Sequence, residues 1–304
     1  MKSKIAVTGA NGFVGQNLVP YLLGRGNEIL IIQKEQLYAI DYHLFNECES
    51  VIHLAGKAHD LKKTSNPDEY YQVNFELTKK LYDVFLRSDA KRFIFLSSVK
   101  AAADTVEGVL DEDILPSPKT DYGKSKRLAE EYIQNQKLPI GKSFYILRPC
   151  MIHGPGNKGN LNLLFTLVNK GIPYPFSAFT NQRSFLFVEN LCFIISKLLI
   201  KNIESGIYNV ADDESISTNS VVRTLANSIS VTPKLIPVNR HIIRVFARIG
   251  DLLRLPLNTD RLTKLTESYV VGNEKIKHKL GISLPYTVSE GLVITAKSFK
   301  HQIK

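Results

Sequence analysis

The chain has 304 residues, of which 44% are hydrophobic and 22% charged, the balance of an ordinary globular protein that is long enough for one large domain or two modest ones. Its formal net charge of +10 comes from scattered lysines and arginines, many beyond Lys234, without an aromatic–basic stacking pattern or nucleic-acid motif, so no nucleic-acid partner is expected. The three cysteines show neither zinc-ligand spacing nor a disulfide framework, and no signal peptide or apolar run of ~20 residues is present, so we expect a cytoplasmic chain without an integral membrane segment.

Short apolar runs alternate with helical patterns through the first half of the chain. Strands are predicted at 4–8, 28–32, 51–55 and 92–97, and helices at 16–25 and 67–87. Between the second and third strands there is room for one brief strand near 38–40 and a truncated helix. Repetition of strand, helix and strand predicts an α/β fold, a doubly wound parallel sheet of the Rossmann type.

The rhythm changes at about Met151, where glycine, proline and asparagine become frequent. This change predicts a first domain over residues 1–150 and a smaller C-terminal region over 151–304, with parts of the later chain returning to the first domain.

Three glycines lie between the first strand and the first helix. In the segment TGANGFVG, Gly9 permits a tight turn, Gly12 lets the backbone approach a pyrophosphate, and Gly15 allows close packing of helix on strand. The helix N-terminus would then present N–H groups to the anion. The pattern predicts a dinucleotide site, so residues 1–150 are expected to form an NAD(P)-binding domain.

The choice between NAD and NADP is expected to depend on the residues that follow the second strand. An acidic residue there would bind the ribose hydroxyls of NAD, but this chain has Gln33 and Lys34. Lys34 could attract a ribose 2′-phosphate and Gln33 could bind an unphosphorylated ribose. The sequence therefore favours NADP and leaves NAD as the alternative.

A tyrosine and a lysine stand four residues apart in the predicted helix that contains YGKSK. Tyr122 and Lys126 therefore share one helix face, as proton transfer beside a nicotinamide requires. The ammonium and a bound nicotinamide are both positive and would lower the pKa of the phenol. Ser97 and Ser98 follow a buried strand, and we select Ser98 as the hydroxyl that binds the reacting oxygen of the substrate.

These motifs together resemble the extended short-chain dehydrogenase/reductase family, and in particular its nucleotide-sugar epimerases, dehydratases and keto-sugar reductases. The matching segments are TGANGFVG at 8–15, VIHLAG at 51–56, FLSSVK at 95–100, YGKSK at 122–126, LRPCMIHGPG at 147–156, RSFLFVENL at 183–191, GIYNVAD at 206–212 and KLGISLPYTVSEGL at 279–292.

The resemblance implies site residues beyond those derived above. It implies that Ser98, Tyr122 and Lys126 form an active triad, and that Arg183, with Asn160 on the same side, holds the substrate diphosphate. The cofactor-lining residues that it implies, outside the glycines and the triad, are Asn11, Phe13, Val14, Leu54, Ala55, Gly56, Asn74 and Pro149. No metal ligand is expected.

The resemblance also implies the reaction class, hydride transfer at a sugar carbon, most simply C4 of a UDP-linked N-acetylated hexose for surface polysaccharides. Val99 and Lys100 stand where the dehydratases usually have an acid, and Met151 and His153 where 4-epimerases often have Asn and Tyr. The expected function is therefore a 4-keto-sugar reductase, with a 4-epimerase retaining NAD as the alternative and a non-catalytic NADP sensor as a third. A homodimer is a further expectation.

Several conspicuous residues are not assigned to the site. His53 is expected in the core, His153 in loop packing or at the substrate, and the acidic run 111–113 in a solvated loop. The predicted helix that starts at Arg240 has basic residues on one side and apolar residues on the other. It would pack on the substrate region or another subunit, with a membrane surface or polymerase partner as the alternative.

Overall fold

The computed structural model describes residues 3–38, 41, 43–57, 66–157, 159–253 and 258–302. The strands in these ranges are β1 Lys4–Thr8, β2 Glu28–Ile32, β3 Ser50–His53, β4 Arg92–Leu96, β5 Val109–Leu110, β6 Ser143–Pro149, β7 Met151–His153, β8 Arg183–Phe187, β9 Gly206–Val210, β10 Ser215–Ile216 and β11 Val270–Val271. The α-helices are α1 Phe13–Leu23, α2 Lys34–Tyr38, α3 Pro67–Tyr70, α4 Leu77–Arg87, α5 Asp121–Asn135, α6 Asn160–Asn169, α7 Val188–Leu198, α8 Thr218–Ser228, α9 Arg240–Leu253, α10 Thr259–Thr266, α11 Glu274–Leu280 and α12 Val288–Gln302.

Six of these strands form one sheet in the order β2-β1-β3-β4-β6-β9, with every neighbouring pair parallel. Alternate residues of the strands enter two different cores. Ile5 and Val7 face the core that includes residues of α1 and α7, whereas Ala6 faces the core that includes residues of α4 and α5. Helices therefore cover both faces, and the predicted doubly wound α/β fold is confirmed.

The chain changes direction across the sheet between β1 and β3. It leaves β1 for β2 on one side and returns to β3 on the other, with Thr8 level with His53. In open α/β sheets, ligands bind at the carboxyl ends of the strands at this switch point. The turns after Thr8 and His53 are therefore where a ligand crevice is expected.

The predicted elements differ from the structure mainly at their ends. β1 and β2 have the predicted bounds, whereas α1 begins three residues before the predicted start at 16. The brief strand predicted near 38–40 is wrong at Tyr38, which ends α2, and residues 39 and 40 lie outside the described residues. The helix over 67–87 is continuous, but α3 passes into α4 through a π-helical turn at Tyr71–Glu76.

The later part of the chain contributes to both regions. β9 pairs with β6 in the large sheet, while β10, β8 and β7 form a second sheet and β11 pairs with β5. The division at residue 150 and the assignment of 151–304 to substrate binding remain predictions. No helix among the described residues combines the length and the apolar character needed to cross a bilayer.

Candidate active site

The glycine turn after β1 is closed by direct backbone packing. Gly9 has a φ of +71°, and a Cβ there would lie 2.6 Å from the Ala55 nitrogen. A Cβ on Gly15 would lie 2.4 Å from the Gly9 carbonyl oxygen. Only glycine fits at both positions. The sequence folds in this way because any side chain would force α1 away from the strand end.

The N-terminus of α1 is suited to an anion. Gly12 caps the helix in an extended conformation, and the first turn contains no acidic residue. Asn11 and Gly12 are exposed, Phe13 is partly buried, and Val14 packs in the core. The N–H groups of a first helical turn have no acceptor within the helix, and the dipole favours negative charge there. These residues fit the diphosphate of a dinucleotide.

The end of β2 holds no carboxylate at the two positions that follow it. Gln33 and Lys34 are exposed, and Lys34 begins α2. The Gln33 N–H donates to Oε1 of Gln36 at 2.8 Å, which fixes the turn.

The segment after β3 is held by hydrogen bonds on two sides. The Leu54 N–H donates to the Thr8 carbonyl at 3.2 Å, and the Ala55 N–H donates to Thr8 Oγ1 at 3.1 Å. Asn74, fully buried in the π-helical turn, accepts from the Lys57 N–H at 2.8 Å and donates to the Lys57 carbonyl at 3.1 Å. Single π turns recur at functional sites, and this one brings the Asn74 amide to the segment that contains Gly56.

His53 lies beneath this segment as a core residue. Nδ1 is 2.7 Å from Thr8 Oγ1 and Nε2 is 3.0 Å from Thr78 Oγ1. Burial, with a smaller contribution from the charge of Lys126, lowers the pKa of His53 to about 3. His53 is therefore neutral, and its hydrogen bonds connect β1, β3 and α4.

Tyr122 and Ser98 meet at the start of α5. Thr120 caps this helix by accepting from the Gly123 N–H at 3.2 Å, which sets the first turn. The Tyr122 hydroxyl is hydrogen-bonded to Ser98, and the Tyr122 ring packs edge-on against Tyr70 at a centroid distance of 6.1 Å. Ser97 faces away and donates to Oε1 of Glu130 at 2.6 Å. The geometry therefore pairs Ser98, and not Ser97, with the phenol.

Lys126 lies one helical turn after Tyr122, and its Nζ reaches the segment after β3. Its Nζ donates to the Leu96 carbonyl at 2.8 Å and lies 4.7 Å from the centre of the Phe95 ring. A Cβ on Gly56 would lie 3.1 Å from that Nζ. Burial lowers the pKa of Lys126 to about 8, against the opposing effect of Glu130. The ammonium is thus held at the point where the predicted cofactor and proton-transfer residues converge.

The pKa of Tyr122 in the protein without cofactor is raised, whereas the sequence analysis predicts a lowered pKa. Burial raises the pKa of Tyr122 above its ordinary value, and the hydrogen bond from Ser98 opposes this effect. Lys126 Nζ is held by the Leu96 carbonyl, and burial lowers the pKa of Lys126 to about 8, which leaves the amine mostly charged at pH 7. The protein groups alone therefore do not favour phenolate, and the positive charge of an oxidised nicotinamide would have to supply the difference.

Arg183 begins β8, next to a tyrosine that contacts the Ser98 side of the site. The Ser184 N–H donates to the Tyr269 carbonyl at 2.9 Å, and Tyr269 forms a backbone bridge with Arg183. The Tyr269 hydroxyl donates to the Ala103 carbonyl at 2.7 Å, in the segment that follows Ser98. Burial lowers the pKa of Arg183, which nevertheless stays charged at neutral pH.

Two of the predicted site residues remain, Pro149 and Asn160. Pro149 ends β6, buried and level with Val210. Asn160 is the first residue of α6, and its side chain lies outside what the structure describes.

Sequence reasoning missed a buried ion pair between α5 and β6. Glu130 accepts from Arg148 Nε at 2.9 Å and from Arg148 Nη2 at 2.6 Å, and both side chains are almost fully buried. Glu130 follows Lys126 by four residues, so helical spacing alone could have placed it on the same face. The pair ties α5 to β6, with Ser97 as the third member.

The residues that were not assigned to the site have structural roles. His153 is fully buried, with Nδ1 2.9 Å from Thr295 Oγ1, so of the two expectations packing is the one observed. The acidic run is not wholly solvated, because Glu112 accepts from the Asn209 N–H at 2.7 Å. Over the described residues, no cluster of three or more His, Cys, Asp or Glu side chains that could hold a metal ion is found.

The fold and this site define a dinucleotide-dependent α/β enzyme, and comparison with known proteins gives its family. Residues 5–211 match the model of the NAD dependent epimerase/dehydratase family, and the chain belongs to that family. The predictions of the family and of an oxidoreductase or epimerase enzyme are thereby confirmed.

Among curated relatives, a UDP-glucose 4-epimerase of Vibrio cholerae is 30% identical over 98% of this chain and 96% of its own length. An N-acetyl-alpha-D-glucosaminyl-diphospho-ditrans,octacis-undecaprenol 4-epimerase of Escherichia coli O157:H7 is 29% identical, over 96% of this chain and 94% of its own. A UDP-2-acetamido-2,6-beta-L-arabino-hexul-4-ose reductase of Pseudomonas aeruginosa is 32% identical over 52% of this chain and 38% of its own length.

Solved structures share the whole fold. A UDP-glucuronic acid 4-epimerase from Bacillus cereus in complex with NAD has a TM-score of 0.77 and 20% identity, covering 99% of this chain and all of that one. RMD from Pseudomonas aeruginosa complexed with NADPH has a TM-score of 0.77 and 19% identity, covering 99% of each chain. At these identities the likeness concerns the fold.

Proposed function

We propose that this protein catalyses NAD(P)-dependent hydride transfer at C4 of a nucleotide-linked hexose, with Tyr122 exchanging the proton of the C4 hydroxyl. The observation that carries the proposal is the hydrogen bond between Tyr122 and Ser98, with Lys126 one turn further along the same helix. The Lys126 ammonium also reaches Gly56, on a segment packed against the glycine turn. A phenol, a hydroxyl and an ammonium at the carboxyl ends of parallel strands are suited to general acid–base catalysis.

Each member of the triad has a distinct task in this mechanism. The nicotinamide cofactor supplies the hydride acceptor and donor. Tyr122 takes the hydroxyl proton when the sugar is oxidised and returns it when the ketone is reduced. Without substrate the Ser98 hydroxyl donates to Tyr122, and with substrate bound it would donate its one hydrogen to the sugar oxygen instead. Lys126 binds the nicotinamide ribose, and the positive charge of an oxidised nicotinamide would offset the effect of burial on the pKa of Tyr122.

Two products can arise from the same chemistry. We propose 4-epimerisation first, because the Vibrio cholerae and Escherichia coli relatives that match along almost the whole chain are named 4-epimerases. The Pseudomonas aeruginosa keto-sugar reductase matches about half of this chain. The absence of a carboxylate at Gln33 and Lys34 supports the second candidate, a reductase that consumes NADPH.

The proposed substrate carrier is UDP, held through its diphosphate by Arg183. The Arg183 guanidinium stays charged despite its burial, and it offers the bidentate geometry that phosphate oxygens accept. The Escherichia coli relative is named for a sugar on undecaprenyl diphosphate. That carrier presents the same diphosphate, so both carriers belong in the substrate panel.

The product assay distinguishes the two candidates. Purified protein is given UDP-linked hexoses, with and without N-acetyl groups, and the sugar product and nicotinamide absorbance are followed together. An epimerase converts the sugar with no net change in cofactor, whereas a reductase oxidises one NADPH for each keto-sugar reduced. Gln33→Asp should lower the NADPH-to-NADH ratio of kcat/KM about tenfold or more if Gln33 and Lys34 bind the 2′-phosphate.

A matched pair of tyrosine variants tests the proposed role of Tyr122. Tyr122→Phe should reduce kcat by roughly 10²- to 10⁴-fold, with cofactor binding retained. Tyr132→Phe, on the same helix and hydrogen-bonded to Asp83, should keep activity near that of the wild type. An unchanged sugar product with Tyr122→Phe would overturn the proposal and support the sensor function.

A further inference from the structure

Helix α9 exposes an unusually large apolar face. Its large apolar side chains that are 42% to 82% exposed are Ile242, Val245, Phe246, Ile249, Leu252 and Leu253. At 3.6 residues per turn they lie within an arc of about 120°. These residues are called the exposed apolar face of α9. A contiguous apolar surface of this kind indicates an interaction site rather than chance exposure.

The helix is nevertheless firmly attached to the protein by another face. Ile243 and Ala247 are buried with Leu262 of α10, and Phe176 and Phe179 pack against the same cluster. Arg240 Nε donates to the Ala178 carbonyl at 2.6 Å. The buried face of α9 therefore packs on the rest of the protein, and the exposed apolar face points away from it.

Positive charge borders the exposed apolar face. His241, Arg244 and Arg248 are exposed and occupy the neighbouring arc of the helix, which also includes Asp251. From Lys234 to Lys264 the sequence has seven lysines and arginines and two aspartates, a net charge of +5 and thus half of the +10 of the whole chain. An amphipathic helix with basic residues beside an apolar face is typical of helices that lie in the plane of a membrane surface.

We propose that the exposed apolar face of α9 docks onto an anionic lipid bilayer. The apolar side chains would enter the headgroup–acyl boundary, and Arg244 and Arg248 would contact lipid phosphates. Charge complementarity favours this occupant over a second copy of the chain. A two-fold interface would place the same +5 segment opposite itself, and like charges across an interface are unfavourable.

Docking would hold the predicted substrate side of the site near the membrane. α9 contacts the segment from Phe176 to Phe179, which leads directly into β8 and Arg183. Asn181, between this segment and β8, donates to the carbonyls of Leu265 in α10 and of Glu267 just after it, so the end of α10 is joined to the same stretch of chain. The proposal itself concerns lipid binding and does not depend on the reaction.

Vesicle flotation tests the proposal with the purified full chain. Wild-type protein should partition about tenfold or more strongly into vesicles containing roughly a third phosphatidylglycerol than into phosphatidylcholine alone. Phe246→Ser/Leu252→Ser should reduce partitioning about tenfold or more, and Arg244→Gln/Arg248→Gln should remove the preference for anionic vesicles. Ile140→Ser, at a fully exposed residue outside α9, should bind as the wild type does.

Three results would overturn the proposal. They are flotation of Phe246→Ser/Leu252→Ser equal to wild type, equal partitioning of wild type into both vesicle types, and conversion of a lipid-free dimer to a monomer by Phe246→Ser/Leu252→Ser. Because both residues are exposed, unfolding midpoints and activity on soluble substrate should match wild type, which separates lost docking from lost folding.

Discussion

Replacing Lys126 by methionine should stabilise the folded protein at neutral pH while it abolishes the proposed chemistry. Lys126 is only 4% exposed, and burial lowers its pKa from 10.5 to about 8. The charged form is therefore unfavourable in the folded state, as expected of a group retained for function rather than stability. Methionine has a similar length and can pack against Phe95 without a charge.

The magnitude follows from the shift in the Lys126 pKa. A change from 10.5 to about 8 corresponds to about 3 kcal/mol of unfavourable free energy for the charged lysine in the fold. The variant loses the hydrogen bond to Leu96 and the contact with the Phe95 ring, together about 1–2 kcal/mol. The net gain at pH 7 is about 1–2 kcal/mol in the free energy of unfolding.

The sign of the pH dependence separates this explanation from ordinary packing. A lysine with a lowered pKa destabilises the fold below about pH 8, and this effect disappears as the pH rises to 10.5. Near pH 10.5 the neutral amine keeps its hydrogen bond, so the variant should be less stable than wild type by about 1 kcal/mol. Urea unfolding of both proteins from pH 7 to 10.5 measures this change of about 3 kcal/mol.

Lys124→Met provides the control, because Lys124 is exposed on the same helix. Its stability should stay within about 0.5 kcal/mol of wild type across the range. A Lys126→Met protein that is less stable than wild type at pH 7, or a difference from wild type that does not vary with pH, would refute the reasoning.

Three further predictions concern the stability of the fold. Gly141 has a φ of +84° and open space where a Cβ would stand, so Gly141→Ala should lower the free energy of unfolding in urea by about 1 kcal/mol. Gly9→Ala should cost several times more, because its Cβ would lie 2.6 Å from a backbone nitrogen. Equal costs for the two variants would contradict the packing argument. Glu130→Gln should lower the free energy of unfolding by about 3–5 kcal/mol, because it leaves the buried Arg148 charge unpaired. Adding Arg148→Met to that variant should recover part of the lost stability. If the stability losses of the two single variants simply add in the double variant, the pair is not coupled. His53 should stay neutral in the folded protein down to about pH 3, whereas in the unfolded chain it becomes protonated below about pH 6.5. The free energy of unfolding should therefore fall by up to about 5 kcal/mol as the pH drops from 6.5 to 3. An NMR titration of His53 with a midpoint near 6.5 would contradict this.

The sheet could be predicted from sequence because its signals are local. β1 and β2 are apolar runs bounded by turn residues, and the spacing of the three glycines after β1 predicts the dinucleotide-binding turn without any knowledge of tertiary contacts. The π-helical turn could not be predicted in this way. It depends on the Asn74 amide being held between Lys57 and Ser125, which are distant in sequence.

In the candidate site, too, the features set by local spacing could be predicted and those set by long-range contacts could not. Spacing alone places Tyr122 and Lys126 on one face, because a helix repeats every 3.6 residues. The structural difference between Ser97 and Ser98 depends on long-range contacts. Ser97 hydrogen-bonds to Glu130, which is paired with Arg148, and these two residues belong to α5 and β6. The pKa of Tyr122 depends on burial, which no spacing reveals.

The most direct test of the account is the titration of Tyr122 with and without oxidised cofactor. Phenolate absorbance is compared between wild type and Tyr122→Phe, so that the difference reports this phenol alone. We predict that without added cofactor Tyr122 ionises above its ordinary range, because burial dominates, and that NAD⁺ lowers the pKa so that phenolate forms at lower pH. A Tyr122 titration that is unchanged by saturating oxidised cofactor would contradict the account.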